Sequence, residues 1–103
     1  MAVDDGFRAY VEELFLPMGE VEIKRMMGGL MMWEAGAPFA LVTSESRIYL
    51  KVDEETLPLF EAEGCEQFKN MPYREMPAEA LEDPELFREW VDRAIGTGHR
   101  TAS

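Results

Sequence analysis

The fold is decided between residues 21 and 52, which read VEIKRMMGGLMMWEAGAPFALVTSESRIYLKV. This segment contains three apolar runs of β-strand length, and turn-forming residues separate them. The runs are residues 30–34, 39–43 and 47–52, and the turns are residues 35–38 and 44–46. Connections this short predict an antiparallel meander, because parallel neighbours need long crossover connections.

The run before the meander is less regular. Residues 21–25 alternate only weakly between apolar and polar side chains, and they lead into Gly28 and Gly29. Two adjacent glycines predict a bend or bulge where the backbone needs freedom from a Cβ atom. We therefore interpret Gly28 and Gly29 as structural residues.

Three helices are predicted around these strands. The first has one apolar stripe behind a capping aspartate, the second starts at a threonine, and the third starts with Asp-Pro. The first is marked by Phe7, Tyr10, Val11, Leu14 and Phe15, by Asp4 or Asp5 as its cap, and by Pro17 and Gly19 at its end. The second is marked by Thr56, Leu59, Phe60, Ala62 and Gly64, and the third by Asp83, Pro84, Trp90 and Gly96. Leu59, Phe60 and Ala62 are expected to pack inward, and the third helix is expected to end at Gly96.

The order of elements predicts the fold class. Residues 65–69 and 73–76 form either one hairpin or a single irregular edge strand, which gives the order α–βββ–α–β(β)–α. This order predicts a two-layer α+β domain with a mainly antiparallel sheet over residues 1–95, followed by a flexible tail at 96–103. Three helices cover only one face of such a sheet, so we expect a protein partner or a homodimer on the other face.

Composition narrows the class of protein. A chain of 103 residues with 47% apolar side chains forms one domain with one core. Its 21 acids and 10 bases give a net charge of −11, which opposes direct binding to nucleic acid. A single cysteine, no apolar run near the ~20 residues of a membrane span, and an acidic start predict a soluble cytoplasmic protein without membrane contact.

Several residues invite a chemical interpretation, and each has a simpler one. The methionines of residues 26–33 suit a soft metal, but flexible thioethers also fill irregular cores. Cys65 and His99 would need to meet as nucleophile and base, yet His99 follows two glycines. The acids at 53–55 suit a helix start as well as a cation. We therefore predict no enzymatic activity, no metal and no cofactor.

The basic residues lie on or beside the predicted strands, whereas acids dominate the helices and loops. They are Lys24, Arg25, Lys51, Lys69 and Arg74. They either converge into a local basic patch or pair with neighbouring acids, and ion pairs are the preferred interpretation because surface pairs are common.

Taken together, the segments resemble the TfoX N-terminal domain family, which is typified by the N-terminal part of bacterial competence (DNA transformation) regulators. The matching segments are the helix at residues 7–15, RMMGGL at 25–30, FALV at 39–42, YLKVD at 49–53, YREMP at 73–77 and the helix at 81–90. The resemblance implies an α-βββ-α-ββ-α domain like that of type III secretion chaperones, and a non-enzymatic regulatory or protein-interaction role.

The chain also departs from the family pattern. Met27 stands where the family usually has Phe, and the stretch between Phe68 and Tyr73 is shorter than the usual hairpin. The second domain of full-length competence regulators has no counterpart in the sequence, so we do not expect the regulator's role to transfer unchanged.

The resemblance implies no catalytic residues, but it does single out a binding surface. Gly28, Gly29 and Trp90 match the family motif and have backbone or packing reasons. Arg25, Tyr49, Lys51 and Tyr73 match it without such a reason, and we predict that they form the binding surface. The alternative to a protein-interaction module is a domain that uses these Arg, Lys and Tyr side chains to bind a small anionic ligand.

Overall fold

The computed structural model of the chain describes residues 5–26 and 28–102. Its helices are α1 (Asp5–Phe15), α2 (Leu57–Ala62) and α3 (Pro84–Thr101), with short 3₁₀ turns at Leu16–Met18 and Ala78–Leu81. Its strands are β1 (Val21–Met26), β2 (Gly29–Glu34), β3 (Ala37–Val42), β4 (Ile48–Lys51) and β5 (Tyr73–Glu75). The predicted cap at Asp4 and the substitution at Met27 lie outside the described residues.

The five strands form one antiparallel sheet in the order β1-β2-β3-β4-β5, which confirms the predicted α+β class. Four strands precede α2 rather than the three expected, because residues 21–25 form a full strand. Their alternation is weak in the sequence because β1 is an edge strand with mostly exposed side chains.

The helices cover one face of the sheet and build the main core there. Phe15 of α1 contacts Phe39 of β3 and Phe87 of α3, with ring centroids 6.1 and 5.2 Å apart. Trp90 packs edge-on against Phe60 of α2 at 4.8 Å. The aromatic contacts join α1 to the sheet, α3 to α1 and α2 to α3, and they give Trp90 the packing role that was predicted for it.

The start of α2 differs from the prediction. Thr56 makes no capping hydrogen bond to the helix; instead Asp53 Oδ1 accepts hydrogen bonds from the backbone N–H groups of Glu55 and Thr56, each at 3.1 Å. Of the three residues expected to face inward, only Phe60 is buried, whereas Leu59 is 43% exposed and Ala62 is exposed. A six-residue helix presents too narrow a face to bury all three.

The end of α3 also differs. The helix does not stop at Gly96 but continues to Thr101, so residues 96–101 are helical and not the predicted tail. Thr97 is fully buried, and a Cβ atom at Gly98 would lie 2.5 Å from the carbonyl oxygen of Pro38. The glycine therefore permits close packing of the helix on β3, and tertiary contact outweighs the poor helix propensity of glycine here.

The region of residues 65–76 combines the two alternatives. Tyr73–Glu75 pairs with β4 as a three-residue strand. The preceding arm forms a single bridge, Gln67 opposite Arg74, supported by a hydrogen bond from Phe68 N to Tyr73 O of 2.9 Å. Among the described helices, none has the length and apolar character needed to cross a membrane.

Candidate binding surface

The candidate surface is the face of the sheet that points away from the helices, which we call the open face. Because side chains alternate along a strand, every second residue of the sheet projects there. Its centre is a small cluster of buried residues, Leu41, Tyr49 and Tyr73. The loop of residues 66–72 packs over this cluster through Phe68 and Met71, so the β3–β5 half of the open face is covered.

The half formed by β1 and β2 carries apolar side chains that nothing in the described part of the chain covers completely. Met31 and Trp33 are half-buried there, and Met26 is 42% exposed. Lys24 lies over the indole ring of Trp33, with its Nζ 5.6 Å from the ring centroid. The result is an aromatic and thioether surface with a cation beside it.

A cavity of about 190 Å³ lies where the two halves meet. Met26, Met31, Leu41 and Phe68 provide its apolar lining. Its rim includes Thr43, Ser44, Glu45 and Lys69, from the β3–β4 turn and the covering loop. Such a cavity is large enough for one apolar side chain of a partner, with polar groups around the entrance.

Three of the four predicted binding residues lie on this open face. Tyr49 and Tyr73 are buried rather than free, since Tyr49 packs on Phe68 with a centroid distance of 5.0 Å and burial raises the pKa of Tyr73. Lys51 is the register partner of Tyr73 and is half-buried. The tyrosines therefore have the packing reason that the sequence did not reveal.

A family model described as the TfoX N-terminal domain matches residues 13–97, most of the chain. The chain belongs to the TfoX N-terminal domain family. This confirms the resemblance carried by the sequence motifs. No curated protein matches the chain.

In this TfoX N-terminal domain, Arg25 and Met26 of the family motif end β1 and pair with Leu30 and Gly29 at the start of β2. Gly28 has a φ of +81°, a conformation that residues with a Cβ atom rarely adopt. A Cβ atom at Gly29 would collide with the carbonyl oxygen of Val42 on β3. Both glycines are therefore required by the backbone, as predicted.

Arg25 of the same motif lies apart from the other predicted binding residues. It sits on β1, three strands away from β4, and shares the helix side of the sheet with Val21 and Ile23. Its Nη2 pairs with Asp5 Oδ1 at 3.3 Å. The structure therefore does not bring Arg25 together with Tyr49, Lys51 and Tyr73.

The other bases are mostly engaged. Lys24 pairs with Glu22 at 3.8 Å, and Arg74 pairs with Glu61 at 3.8 Å while donating to Cys65 O at 3.0 Å. Lys51 and Lys69 have no acid partner among residues 5–26 and 28–102, although Lys69 lies 5.3 Å from the Phe68 ring centroid. Ion pairing, the preferred interpretation, describes Lys24, Arg25 and Arg74 but not these two lysines.

The structure also separates the two residues considered as a nucleophile and its base. Cys65 is buried at the end of α2, and burial together with Glu63 and Glu75 raises the pKa of its thiol. His99 instead contacts Glu34, with 2.7 Å between Nε2 and Oε1. Within the described residues, no group of three His, Cys, Asp or Glu side chains is placed to hold a metal ion.

The uncovered apolar residues Met26, Met31 and Trp33 were not among the predicted site residues. Their signal in the sequence is that residues 30–33 are all apolar, whereas a strand with one solvated face alternates. A run of this kind indicates that both faces of the strand meet apolar surroundings. On the second face of β2, those surroundings are only partly supplied by the chain itself.

Proposed function

We propose that this TfoX N-terminal domain is a non-enzymatic regulatory module, like the corresponding part of competence regulators, and that it binds a partner protein on the open face. The observation that carries the proposal is the uncovered apolar surface of Met26, Met31 and Trp33 beside a cavity of about 190 Å³. Exposed apolar surface next to a side-chain-sized cavity is typical of interaction sites.

The charge distribution favours a partner segment that is both apolar and acidic. The chain has 21 acids against 10 bases, but the open face and its rim are close to neutral. Their bases are Lys24, Arg47, Lys51 and Lys69, and their acids are Glu22, Glu45 and Glu75. An acidic partner segment therefore meets less repulsion on this face than on the acidic helices and loops, which favours the open face as its binding site.

Two observations support a role without nucleophilic catalysis. The pKa of the Cys65 thiol is raised, and His99 contacts Glu34 instead of acting as a base beside Cys65. The alternative, a small anionic ligand held by Arg25, Tyr49, Lys51 and Tyr73, is less well supported. Both tyrosines are packed in the covered half, and Arg25 is paired with Asp5 on the other side of the sheet.

A matched pair of variants tests the proposal. Met26 on the open face and Leu59 on α2 are 42% and 43% exposed, so Met26→Glu and Leu59→Glu add the same charge at equally exposed apolar positions. We expect Met26→Glu to reduce binding of the partner at least tenfold, because it places a carboxylate on an apolar contact surface, and Leu59→Glu to leave binding unchanged. Binding is measured by affinity capture with quantitative mass spectrometry, followed by titration calorimetry with the purified partner.

Equal capture by both variants would place the interaction elsewhere. A thermal-shift screen addresses the alternative: a melting temperature raised by anionic metabolites, and no longer raised after Lys51→Ala, would favour the small ligand.

A further inference from the structure

The edge strand β1 has backbone groups that face away from the sheet. Glu20 O accepts a hydrogen bond from Ala35 N at 2.9 Å, so the carbonyl of residue 20 faces β2. Ile23 O instead accepts from Arg8 Nη2 at 3.3 Å, so it faces outward. Because this direction alternates along a strand, the N–H and C=O groups of Val21, Ile23 and Arg25 all point away from β2.

The side chains of β1 are complementary to a second, antiparallel copy of β1. With Ile23 on a two-fold axis, Glu22 lies opposite Lys24 of the second copy, and Lys24 lies opposite Glu22 of that copy. Glu22 and Lys24 project to the open face and are 65% and 66% exposed; the 3.8 Å ion pair that they form within the strand would give way to the contacts between the two copies. Opposite charges at directly opposed positions stabilise an antiparallel pair, and the symmetry produces the contact twice.

The outward direction of the backbone N–H and C=O groups of Ile23 is compatible with the same two-fold axis. Ile23 has both its backbone groups pointing outward, so Ile23 of each copy can exchange two hydrogen bonds with Ile23 of the other. Its half-buried side chain would also cover that of the second copy on the helix side. The direction of the backbone groups thus permits the register that the charge pattern selects.

The two edges of the sheet are protected in different ways. At β5 the arm of residues 66–68 occupies the edge through Phe68 N to Tyr73 O and Glu75 N to Glu66 O. At β1 the protection consists of Arg8 and of the charges at 22, 24 and 25. Edge charges repel foreign strands, but the order Glu22-Ile23-Lys24 attracts its own antiparallel copy. Arg8 has only to release one 3.3 Å hydrogen bond.

We infer that the chain forms a symmetric dimer in which two β1 strands pair antiparallel about Ile23. Two five-stranded sheets then become one continuous sheet. An axis perpendicular to the sheet keeps both helix layers on one side, so the two open faces form a single larger surface. The inference goes beyond the proposed function, since it rests on β1 alone and needs no partner protein.

Charge reversal tests the register. Lys24→Glu places two glutamates opposite each other twice per dimer, and we expect it to weaken dimerisation at least tenfold. The double variant Glu22→Lys with Lys24→Glu recreates both pairs in reverse and is expected to restore the wild-type dissociation constant within about threefold. Arg88→Glu, an exposed site on α3, changes the net charge equally and serves as the control.

The dissociation constants are measured by sedimentation velocity on the purified full chain over a dilution series from micromolar to millimolar. A wild type that stays monomeric throughout would overturn the inference. So would a double variant as weak as Lys24→Glu, or an Arg88→Glu variant equally weakened. Because the measurement contains only the chain itself, its failure leaves the capture experiment on the open face unaffected.

Discussion

At the scale of single residues, two glycines two positions apart in α3 have opposite roles. Gly98 faces β3, where a Cβ atom would lie 2.5 Å from Pro38 O and 3.3 Å from Phe39 Cβ. Gly96 faces a more open environment, where the nearest atom to a Cβ would be Arg100 Nη1 at 3.4 Å. Gly98 therefore allows the helix to approach the sheet, whereas Gly96 only weakens the helix.

We expect Gly98→Ala to lower the free energy of unfolding by about 1–3 kcal/mol, because the backbone of β3 cannot move away without disturbing the core. Gly96→Ala is the control, and it is expected to raise the free energy of unfolding by roughly 0.5–1 kcal/mol through better helix propensity. Urea unfolding followed by circular dichroism measures both. A neutral or stabilising Gly98→Ala would mean that α3 is not packed this closely on β3.

At the scale of elements, the last turn of α3 is joined to the start of α2 by charge-assisted hydrogen bonds. Arg100 donates from Nε and Nη2 to Asp53 Oδ2 at 3.0 and 2.9 Å, and from Nη2 to Thr97 Oγ1 at 3.1 Å. Asp53 uses its other oxygen, Oδ1, for the backbone at the start of α2. One carboxylate therefore fixes the beginning of one helix and the end of another.

A double-mutant cycle between Arg100→Gln and Asp53→Asn measures this link. We expect a coupling free energy of about 1 kcal/mol, because the pair is well aligned while Arg100 remains partly exposed. The unfolding free energies come from urea titrations at pH 7. Arg88→Gln, on the exposed side of the same helix, replaces Arg100→Gln in the control cycle and should give no coupling with Asp53→Asn. A coupling near zero for the Arg100 pair would contradict a structural role for the link.

Local signals predicted the elements that are stabilised locally. The Asp83-Pro84 start of α3 is as predicted, with Asp83 Oδ1 accepting from Glu85 N at 3.0 Å, and the short turns correctly predicted an antiparallel meander. The end of α3 was missed because residues 96–101 are held by Pro38 and Asp53, which are distant in sequence. The strand β1 was undervalued because edge strands lack a buried alternation.

The candidate site was predicted less completely than the fold, for a similar reason. Tyr49 and Tyr73 were assigned to a binding surface because no packing partner was visible near them in the sequence. Their partners, Phe68 and Met71, come from a loop whose path over the open face depends on the whole sheet. The open face itself was predicted correctly from the ratio of helices to strands, but not the half of it that stays uncovered.

At the scale of the whole molecule, the excess of negative charge opposes folding. Two carboxylates, those of Glu34 and Asp53, nevertheless stabilise the folded chain in their charged form. Hydrogen bonds from His99 and from the backbone of Glu20 lower the pKa of Glu34 below its ordinary value of 4.5, and the partial burial that opposes this shift is outweighed. For Asp53, burial raises the pKa, but the hydrogen bonds from Thr56 and Arg100 together outweigh it, and the pKa falls below its ordinary 3.8. Both carboxylates join α2 or the sheet to the end of α3.

The lowered pKa values determine whether the free energy of unfolding rises or falls as the solution becomes more acidic. The stabilisation from a carboxylate with a lowered folded-state pKa is complete above the unfolded-state pKa and is lost as the pH falls through the folded-state value. We therefore expect the free energy of unfolding to decline as the pH falls below about 4.5, the ordinary value for Glu34. Protonation of the other acids relieves repulsion over the same range, so the wild-type curve alone does not isolate the effect.

The variant Glu34→Gln isolates the contribution of the Glu34 carboxylate to the pH dependence of stability. The variant should be less stable than the wild type at pH 7 by about 1 kcal/mol, because the charged acceptor of His99 is lost. The difference between the two curves should shrink steadily as the pH falls below 4.5, since only the wild type loses a carboxylate interaction there. Urea titrations at steps from pH 7 to pH 3 measure the difference, with Glu89→Gln on the exposed side of α3 as the control. A difference that does not shrink between pH 4.5 and pH 3 would show that Glu34 titrates alike in the folded and unfolded chain, and that the end of α3 is held without it.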